Sequence, residues 1–239
     1  MVLTKNESGP PVLTIDGPSG AGKGAVSAAV ARRLGWNALD SGAVYRSVAL
    51  AALERGVAVD DEQALVELTR SVGLSFQAGS DGIRVFLGDR EVGDSLRTED
   101  VSVMASRVAA IPAVRSALLA LQRAYRAAPG LVADGRDMGT IVFPDAELKV
   151  FLEASVEERA KRRYKQLKEK GESVILSRLF RDMQARDRRD RERSVAPTVP
   201  APDAVVVDST CLSLDQVIER VVGLARERFE GQIEKEENQ

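Results

Sequence analysis

The sequence predicts an α/β protein of three layers, in which a parallel sheet lies between helices. Four short apolar runs rich in β-branched residues recur along the chain, at residues 12–16, 131–134, 148–152 and 204–208. Helical patterns precede or follow each run, and buried strands that alternate with helices indicate a parallel sheet. A Gly-rich turn and an Ala-rich helical stretch follow the first run, so the fold begins as strand, loop and helix.

Composition limits the classes of function that the chain can have. With 239 residues, 44% of them hydrophobic and 29% charged, the chain is typical of one globular domain. The 34 basic and 36 acidic residues nearly balance, so net charge indicates neither nucleic acid nor a membrane as a partner. Cys211 is the only cysteine and histidine is absent, which excludes an internal disulfide, a thiolate zinc cluster and Ser-His-Asp chemistry. No run of about eighteen apolar residues occurs, and we expect a cytoplasmic protein.

A long excursion separates the first two apolar runs. Its helical patterns lie at residues 42–55, 61–72, 98–110 and 112–127, and the last begins with a proline, which favours a helix start. Between them, short alternating runs at 74–77, 83–87 and 91–92 are separated by Gly-containing turns. These runs predict a small antiparallel meander inserted among helices.

The remainder of the chain is highly charged before it returns to the sheet. Residues 155–193 interleave acidic and basic side chains through two helical segments broken at Gly171, a pattern too polar for the core. After the fourth apolar run, residues 214–229 predict an amphipathic helix, and we expect the acidic tail beyond it to fray.

Residues 17–23 fill the phosphate-loop frame G-x-x-x-x-G-K between the first strand and the first helix. Such a loop turns its N–H groups inward, and Lys23 reaches the β- and γ-phosphates of a nucleotide. The alternative is a Gly-rich turn with a solvated lysine, but the flanking strand and helix favour phosphate binding. The predicted ATP-binding residues are Gly17, Pro18, Ser19, Gly20, Ala21, Gly22, Lys23, Gly24 and Ala25.

The residues after Lys23 depart from the usual frame. Ser or Thr commonly follows the lysine and binds Mg²⁺, whereas this chain has Gly24 and then Ala25. Because Mg²⁺ keeps much of its water shell, we expect mainly phosphate oxygens and water to hold the metal, and the loop indicates no protein ligand for it. Ser27 lies one turn further on, and we expect a hydroxyl on the helix surface there.

Four motifs together resemble the bacterial cytidylate kinase family. They are GPSGAGKG at 17–24, LDSGAVYR at 39–46, ADGRDMGT at 133–140 and the Arg- and Asp-rich run at 186–193. The first occurs in many NTPases, but the order and spacing of all four are specific, and the resemblance extends over residues 12–229. It implies an enzyme that transfers the γ-phosphate of ATP to CMP, and also to dCMP, with the assistance of Mg²⁺.

The resemblance also implies a domain organisation. Residues 1–239 are expected to form a single domain with a P-loop NTPase core at about 12–40, 128–154 and 195–230. An NMP-binding subdomain is inserted at about 41–127, and a helical lid spans about 155–194. The meander looks like the insertion that distinguishes bacterial cytidylate kinases from short adenylate kinases, which supports cytosine as the acceptor base. We expect a monomer.

Candidate acceptor-binding residues follow two strands. Ser41 and Arg46 lie in the first turns of the helix after Asp40, where spacing alone is equally compatible with a phosphate ligand and with a plain cap and surface arginine. The resemblance favours Arg46 as a ligand of the monophosphate and includes Ser41 among the CMP-binding residues. After the second strand, Arg136 suits the acceptor phosphate and Asp137 suits the N4 amino group of cytosine.

The remaining CMP-binding residues are carried by the resemblance. It assigns base contacts to Ser106 and Arg115, which otherwise pass for solvated helix residues. Arg186 and Asp190 are implied to contact the ribose hydroxyls, and Arg193 the acceptor phosphate. Arg159 and Arg163 are weaker candidates for donor phosphates.

The run 186–193 also has alternative interpretations. Interleaved charges usually indicate a solvated helix face, and that is our interpretation of most of these residues. Nucleic-acid binding is a poor alternative, because the carboxylates cancel the field that a phosphate backbone requires. A closing lid that brings arginines over the transferring phosphoryl group lowers the reaction barrier.

The predicted catalytic residues are Lys23, Arg136 and Arg193, which position and neutralise phosphates. The CMP phosphate is already ionised at neutral pH, so no general base is required. Two rivals remain open: a kinase of the same architecture that acts on UMP, AMP or a small hydroxylated metabolite, and a non-catalytic nucleotide-binding module whose missing loop hydroxyl signals lost turnover.

Overall fold

The computed structural model describes residues 9–70, 73–80, 82–169 and 171–237. The strands are β1 (Val12–Asp16), β2 (Asn37–Asp40), β3 (Leu74–Ala78), β4 (Ile83–Leu87), β5 (Arg90–Glu91), β6 (Leu131–Asp134), β7 (Leu148–Glu153) and β8 (Val205–Asp208). The α-helices are α1 (Lys23–Leu34), α2 (Ser41–Arg55), α3 (Glu62–Thr69), α4 (Glu99–Val108), α5 (Pro112–Arg123), α6 (Val156–Glu169), α7 (Leu176–Glu192) and α8 (Leu214–Glu237).

The central sheet is parallel, as predicted, and has the order β2-β6-β1-β7-β8. Strand β1 lies in the middle, with Ile15 in register with Asp134 of β6 and with Val150 of β7. All five residues of β1 are buried, which explains its continuous apolar run. Strand β2 is a fifth strand that none of the four apolar runs includes; it lies at the sheet edge and begins at the exposed Asn37.

Helices cover both faces of this sheet. One buried cluster joins β2 and β6 to helices α2–α5 and includes Leu39, Val48 and Leu118. The other joins β1 and β7 to α1 and α8 and includes Val30 and Val221. This arrangement confirms the predicted three-layer α/β fold.

The inserted meander is confirmed as a three-stranded antiparallel sheet of order β3-β4-β5. Leu74 and Val85 pack in the first cluster, whereas Ile83 packs in the second. The meander therefore contacts both apolar clusters.

Local signals account for most helix boundaries. Asp40 caps α2, since its carboxylate accepts a hydrogen bond from the Ala43 N–H at 2.9 Å, and Pro112 begins α5. Helix α3 ends at Thr69; the predicted extension to residues 71–72 lies outside the described residues. Helix α8 continues to Glu237, eight residues beyond the predicted end at residue 229.

The two charged helices α6 and α7 pack against each other, and Arg159 of α6 contacts the phosphate loop. Gly171, with φ of +79°, lies between the two helices. Most of their side chains are exposed or half-buried, but Arg159, Leu167 and Asp190 are buried. Among the described residues, no single helix has the length and apolar character of a membrane span. Only taken together are α4 and α5 long and apolar enough, and the two helices are bent by 100° relative to each other.

Candidate active site

A cleft of about 1780 Å³ lies at the carboxyl edge of the central sheet. Its floor includes Asp40 and Asp134, where β2 and β6 end, and its walls come from the phosphate loop, α2, α4, α6 and α7. A pocket for one small ligand typically measures roughly 300–1,000 Å³. The cleft is therefore large enough for two ligands of nucleotide size.

The phosphate loop has the geometry that its glycines predict. Gly17 has φ of +145°, and a Cβ there would lie 2.0 Å from the Leu152 carbonyl oxygen, so no side chain fits. Gly22 precedes α1 in the left-handed region, with φ of +92°. Of the predicted ATP-binding residues, those from Ser19 to Ala25 line the cleft, whereas Gly17 and Pro18 do not.

Lys23 lies at the first turn of α1 and is only 6% exposed. Its Nζ donates a hydrogen bond to the Pro18 carbonyl oxygen at 2.9 Å. Burial and the nearby Arg136 charge lower the pKa of Lys23 to about 7, against the opposing effect of Asp134 and Asp16. A negatively charged phosphate at this place would restore the lysine charge.

Two buried carboxylates stand beside the loop, and neither was predicted. Asp16 accepts N–H hydrogen bonds from Met138 at 2.8 Å and from Gly139 at 2.7 Å, yet burial raises its pKa to about 7. Burial likewise raises the pKa of Asp134 to about 6. A Cβ on Gly24 would lie 3.5 Å from Asp134 Oδ2, so Asp134 borders the space that a Ser or Thr side chain would occupy.

The prediction for Ser27 is wrong. This residue is fully buried, and its hydroxyl has no hydrogen-bond partner among the described residues. The reason is that α1 packs against the sheet, α8 and Ile83 of the meander, which leaves few of its positions at the surface.

Ser41 and Arg46 both belong to α2, which Asp40 caps. Arg46 Nη2 donates to Asp40 Oδ2 at 2.7 Å, which holds the guanidinium over the amino terminus of α2. The Ser41 hydroxyl donates to Gln122 Oε1 at 2.6 Å. Both residues line the cleft, so the spacing that left Arg46 ambiguous resolves into a site-facing arginine.

Arg115 and Asp137 form a buried ion pair rather than two solvated groups. Arg115 Nη2 donates to Asp137 Oδ2, and the two side chains are 8% and 4% exposed. Arg115 Nη1 also donates to the Ala109 carbonyl oxygen at 3.1 Å, and its guanidinium carbon lies 5.6 Å from the centre of the Tyr45 ring. Burial raises the pKa of Asp137 although the Arg115 and Arg193 charges oppose it.

Asp190 of α7 is the centre of a second polar cluster. Its carboxylate oxygens lie 3.3 Å from Arg136 Nε and 4.0 Å from Arg186 Nε, and one accepts from the Ser106 hydroxyl at 3.4 Å. Arg193 Nε donates to the Asp190 backbone oxygen at 3.3 Å. Burial alone would raise the pKa of Asp190, but the surrounding arginines outweigh it and hold the pKa below its usual value.

Nine predicted acceptor residues line this single cleft. They are Ser41, Arg46, Ser106, Arg115, Arg136, Asp137, Arg186, Asp190 and Arg193.

The two weaker candidates are placed differently. Arg159 is buried and outside the cleft lining; its guanidinium donates to Asp187 and to the Ser19 carbonyl oxygen at 2.8 Å. It therefore links α6 and α7 to the phosphate loop. Arg163 lines the cleft and donates to Gln166 at 2.8 Å.

Comparison with known proteins identifies close relatives. The cytidylate kinase family model matches residues 13–227. A cytidylate kinase from Methylococcus capsulatus is 59% identical over 209 residues, which cover 87% of this chain and 94% of that protein. One from Pseudomonas aeruginosa is 58% identical over 214 residues, with 89% and 93% covered. One from Aeromonas hydrophila is 55% identical over 219 residues, with 92% and 95% covered.

Among solved structures, a gluconokinase from Sinorhizobium meliloti matches with a TM-score of 0.45 and 16% identity. The match covers 94% of this chain and 97% of that one.

Proposed function

The chain belongs to the cytidylate kinase family and is an enzyme that phosphorylates CMP with ATP; on this basis we propose how its cleft binds both nucleotides and transfers phosphate between them. The observation that carries the proposal is the single cleft that joins the phosphate loop to the two polar clusters of Asp137 and Asp190.

The proposed organisation has three parts. The core at about 12–40, 128–154 and 195–230 carries the phosphate loop, the insertion at about 41–127 supplies the acceptor site, and residues 155–194 form a lid. Two contacts of α6 and α7 with the phosphate loop support the lid assignment. Arg159 of α6 donates a hydrogen bond to the Ser19 carbonyl oxygen. Gly20 lies so close to α7 that a Cβ there would be 2.6 Å from Met183 Cε.

For the donor side, we assign ATP phosphates to residues 17–25. The loop amides and the amino terminus of α1 favour negative charge there, and we assign Lys23 to the β- and γ-phosphates. Its lowered pKa, caused by burial and by Arg136, means that bound phosphate stabilises the charged lysine.

For the acceptor side, we assign the base to the Arg115 and Asp137 pair with Ser106 and Ser41. A carboxylate accepts from the N4 amino group of cytosine, and a guanidinium donates to O2 or N3. Arg186 and Asp190 are assigned to the sugar, and dCMP is accepted because the phosphate and base contacts do not require the 2′-hydroxyl.

The CMP phosphate is assigned to Arg46, Arg136 and Arg193. Arg46 lies at the amino terminus of α2, where a phosphate is also favoured by the helix dipole. Arg136 and Arg193 meet around Asp190, so they can bridge the acceptor phosphate and the γ-phosphate as charge develops between them.

The residues near Gly24 fit a hydrated Mg²⁺. Asp134 borders the space above Gly24, carboxylate oxygens are preferred Mg²⁺ ligands, and the raised pKa of Asp134 indicates a carboxylate that a cation would stabilise. Within the described ranges, no cluster of three or more His, Cys, Asp or Glu side chains is arranged to hold a metal, so phosphates and water supply the other ligands. Bound Mg²⁺ neutralises charge on the β- and γ-phosphates.

Transfer in this scheme requires no general base. The CMP phosphate oxygen is already ionised, so Lys23 and the arginines only align it with the γ-phosphate and neutralise charge. Lid closure by α6 and α7 would exclude water that otherwise hydrolyses ATP. Because one chain supplies every residue named, we propose a monomer as the working unit, acting in the cytoplasm.

Initial rates of ADP formation with CMP, dCMP, UMP and AMP test the proposal. We expect CMP to be the best acceptor, dCMP to be used, and ADP formation to require both acceptor and Mg²⁺. A preference for UMP or AMP would contradict the assignment of the base pocket, and tight ATP binding without turnover would favour a non-catalytic module.

A further inference from the structure

Gln122 is a buried amide that the assigned site does not include. It lies on α5, is 1% exposed, and accepts a hydrogen bond from the Ser41 hydroxyl at 2.6 Å through its Oε1. The two residues are 81 positions apart in sequence and join α5 to the first turn of α2. A polar side chain this deeply buried normally has hydrogen-bond partners, and both ends of this amide have one.

The orientation of the Gln122 amide is fixed by its other partner. Its Nε2 donates to the Leu118 carbonyl oxygen at 3.3 Å. Because a carbonyl oxygen only accepts hydrogen bonds, the NH₂ end of the amide faces Leu118 and the oxygen faces Ser41.

This orientation determines whether the Ser41 hydroxyl donates or accepts a hydrogen bond on its cleft side. A serine hydroxyl has one proton and two lone pairs, and the proton of Ser41 is used by Gln122. Toward the cleft, Ser41 can therefore only accept. Asp137, which lines the same cleft together with Tyr45 and Arg115, is likewise an acceptor when ionised.

We propose that Gln122 is a specificity-determining positioning residue, which holds Ser41 as an acceptor and thereby favours an amino group over a carbonyl at the base edge. The inference rests on the proposed function, in which this pocket binds the base. The N4 amino group of cytosine has two hydrogens, enough for both Ser41 and Asp137. Uracil has a carbonyl oxygen at that position, which would face the acceptor lone pairs of both Ser41 and Asp137. Contacts between unmatched polar groups of this kind discriminate against the wrong ligand.

Two substitutions of Gln122 test the role of its Oε1 acceptor separately from the role of its NH₂ group. Gln122→Met fills a similar volume without an acceptor, so Ser41 becomes free to donate. Gln122→Glu also loses the NH₂ group but keeps an oxygen that accepts from Ser41. We expect the ratio of kcat/KM for CMP over UMP to fall about tenfold in the Met variant, and to stay within about twofold of the unaltered protein in the Glu variant.

A double variant tests whether Gln122 acts through Ser41. Ser41→Ala alone is expected to lower the CMP over UMP ratio by about the same factor, and adding Gln122→Met should lower it no further. The KM for ATP should remain unchanged in all variants. Melting temperatures report packing damage separately, since a purely structural role of Gln122 would lower Tm without changing the ratio.

The inference is overturned by a folded Gln122→Met variant with an unaltered CMP over UMP ratio, or by a Glu variant that loses the ratio equally. If the Met variant does not fold, Ser41→Ala decides: an unaltered ratio there overturns the inference and a tenfold fall supports it. Failure of the proposed function is distinct, because the unaltered protein itself would then prefer UMP or AMP to CMP, or would bind ATP without turnover.

Discussion

The buried pair of Arg115 and Asp137 allows one substitution to be worked through quantitatively. Asp137→Asn keeps the shape of the side chain but removes the negative charge. Arg115, at 8% side-chain exposure, is then left with the Ala109 carbonyl oxygen at 3.1 Å and no carboxylate. Removing one partner of a buried ion pair typically costs about 3–5 kcal/mol.

The lower end of that range applies here. Burial raises the pKa of Asp137 in spite of Arg115 and Arg193, which means that the native carboxylate is itself incompletely compensated for lost hydration. A loss of about 3 kcal/mol corresponds to a fall in Tm of roughly 6–12 °C, at about 2–4 °C per kcal/mol for a chain of this length.

Kinetics should separate base binding from stability. Because Asp137 is assigned to the cytosine N4 amino group, we expect Asp137→Asn to raise the KM for CMP about 10- to 100-fold, as for a lost hydrogen bond to a charged group, with the KM for ATP nearly unchanged. Asp145→Asn is the matched control, since Asp145 pairs with Arg126 at 2.6 Å but is 59% exposed; exposed pairs contribute about 0–1 kcal/mol.

Initial rates and melting temperatures of both variants test the expected change in KM for CMP and the expected loss of Tm. Equal effects of Asp137→Asn on the two KM values would remove Asp137 from the base pocket. A Tm loss no larger than that of Asp145→Asn would refute the burial argument. Replacing Arg115 by Met as well should recover part of the lost Tm, because no unpaired charge remains, without restoring the KM for CMP.

Two further outcomes concern charges that the nucleotide-free protein holds unfavourably. Burial and the Arg136 charge lower the pKa of Arg186 to about 10, so the positive charge of Arg186 destabilises the folded state. Arg186→Met should therefore raise the Tm of the nucleotide-free protein by roughly 2–4 °C and also raise the KM for CMP. A lower Tm with unchanged CMP kinetics would contradict this expectation. Because burial and Arg136 lower the pKa of Lys23 to about 7, the free lysine is largely neutral at about pH 8 and ATP binding should take up about one proton there. Calorimetry in buffers of different ionisation enthalpy measures this uptake, and equal uptake by Lys23→Met would refute the assignment.

The parts of the fold that depend on neighbouring residues were predictable from sequence. Positive φ at Gly22 and the Asp40 cap are consequences of local chemistry, and the apolar run of β1 reflects burial on both faces. Strand β2 gave a weaker signal because an edge strand with an exposed first residue does not require a continuous apolar run.

The parts that depend on distant contacts were not predictable. Gln122 reads as an ordinary helix residue until α5 brings it to Ser41. Asp134 ends a predicted strand, but its place above Gly24 depends on the pairing of β6 with β1. Ser27 appeared exposed by helical spacing alone, since the packing of both α8 and Ile83 around α1 has no local sequence signal.

Charge balance supports the proposed binding of phosphate in this cleft. The carboxylate of Asp190 is shared by Arg136 and Arg186, and its backbone oxygen accepts from Arg193, so three cations converge on one anion. Burial lowers the pKa of Arg186 and Arg193, and the Arg136 charge adds to the effect at both. The phosphate that we propose to bind here would supply the missing negative charge, and its transfer would spread charge over oxygens near these arginines. Repulsion among the arginines would then be greatest in the empty cleft and least with both phosphates bound, so the proposed lid should close most favourably over a complete pair of substrates.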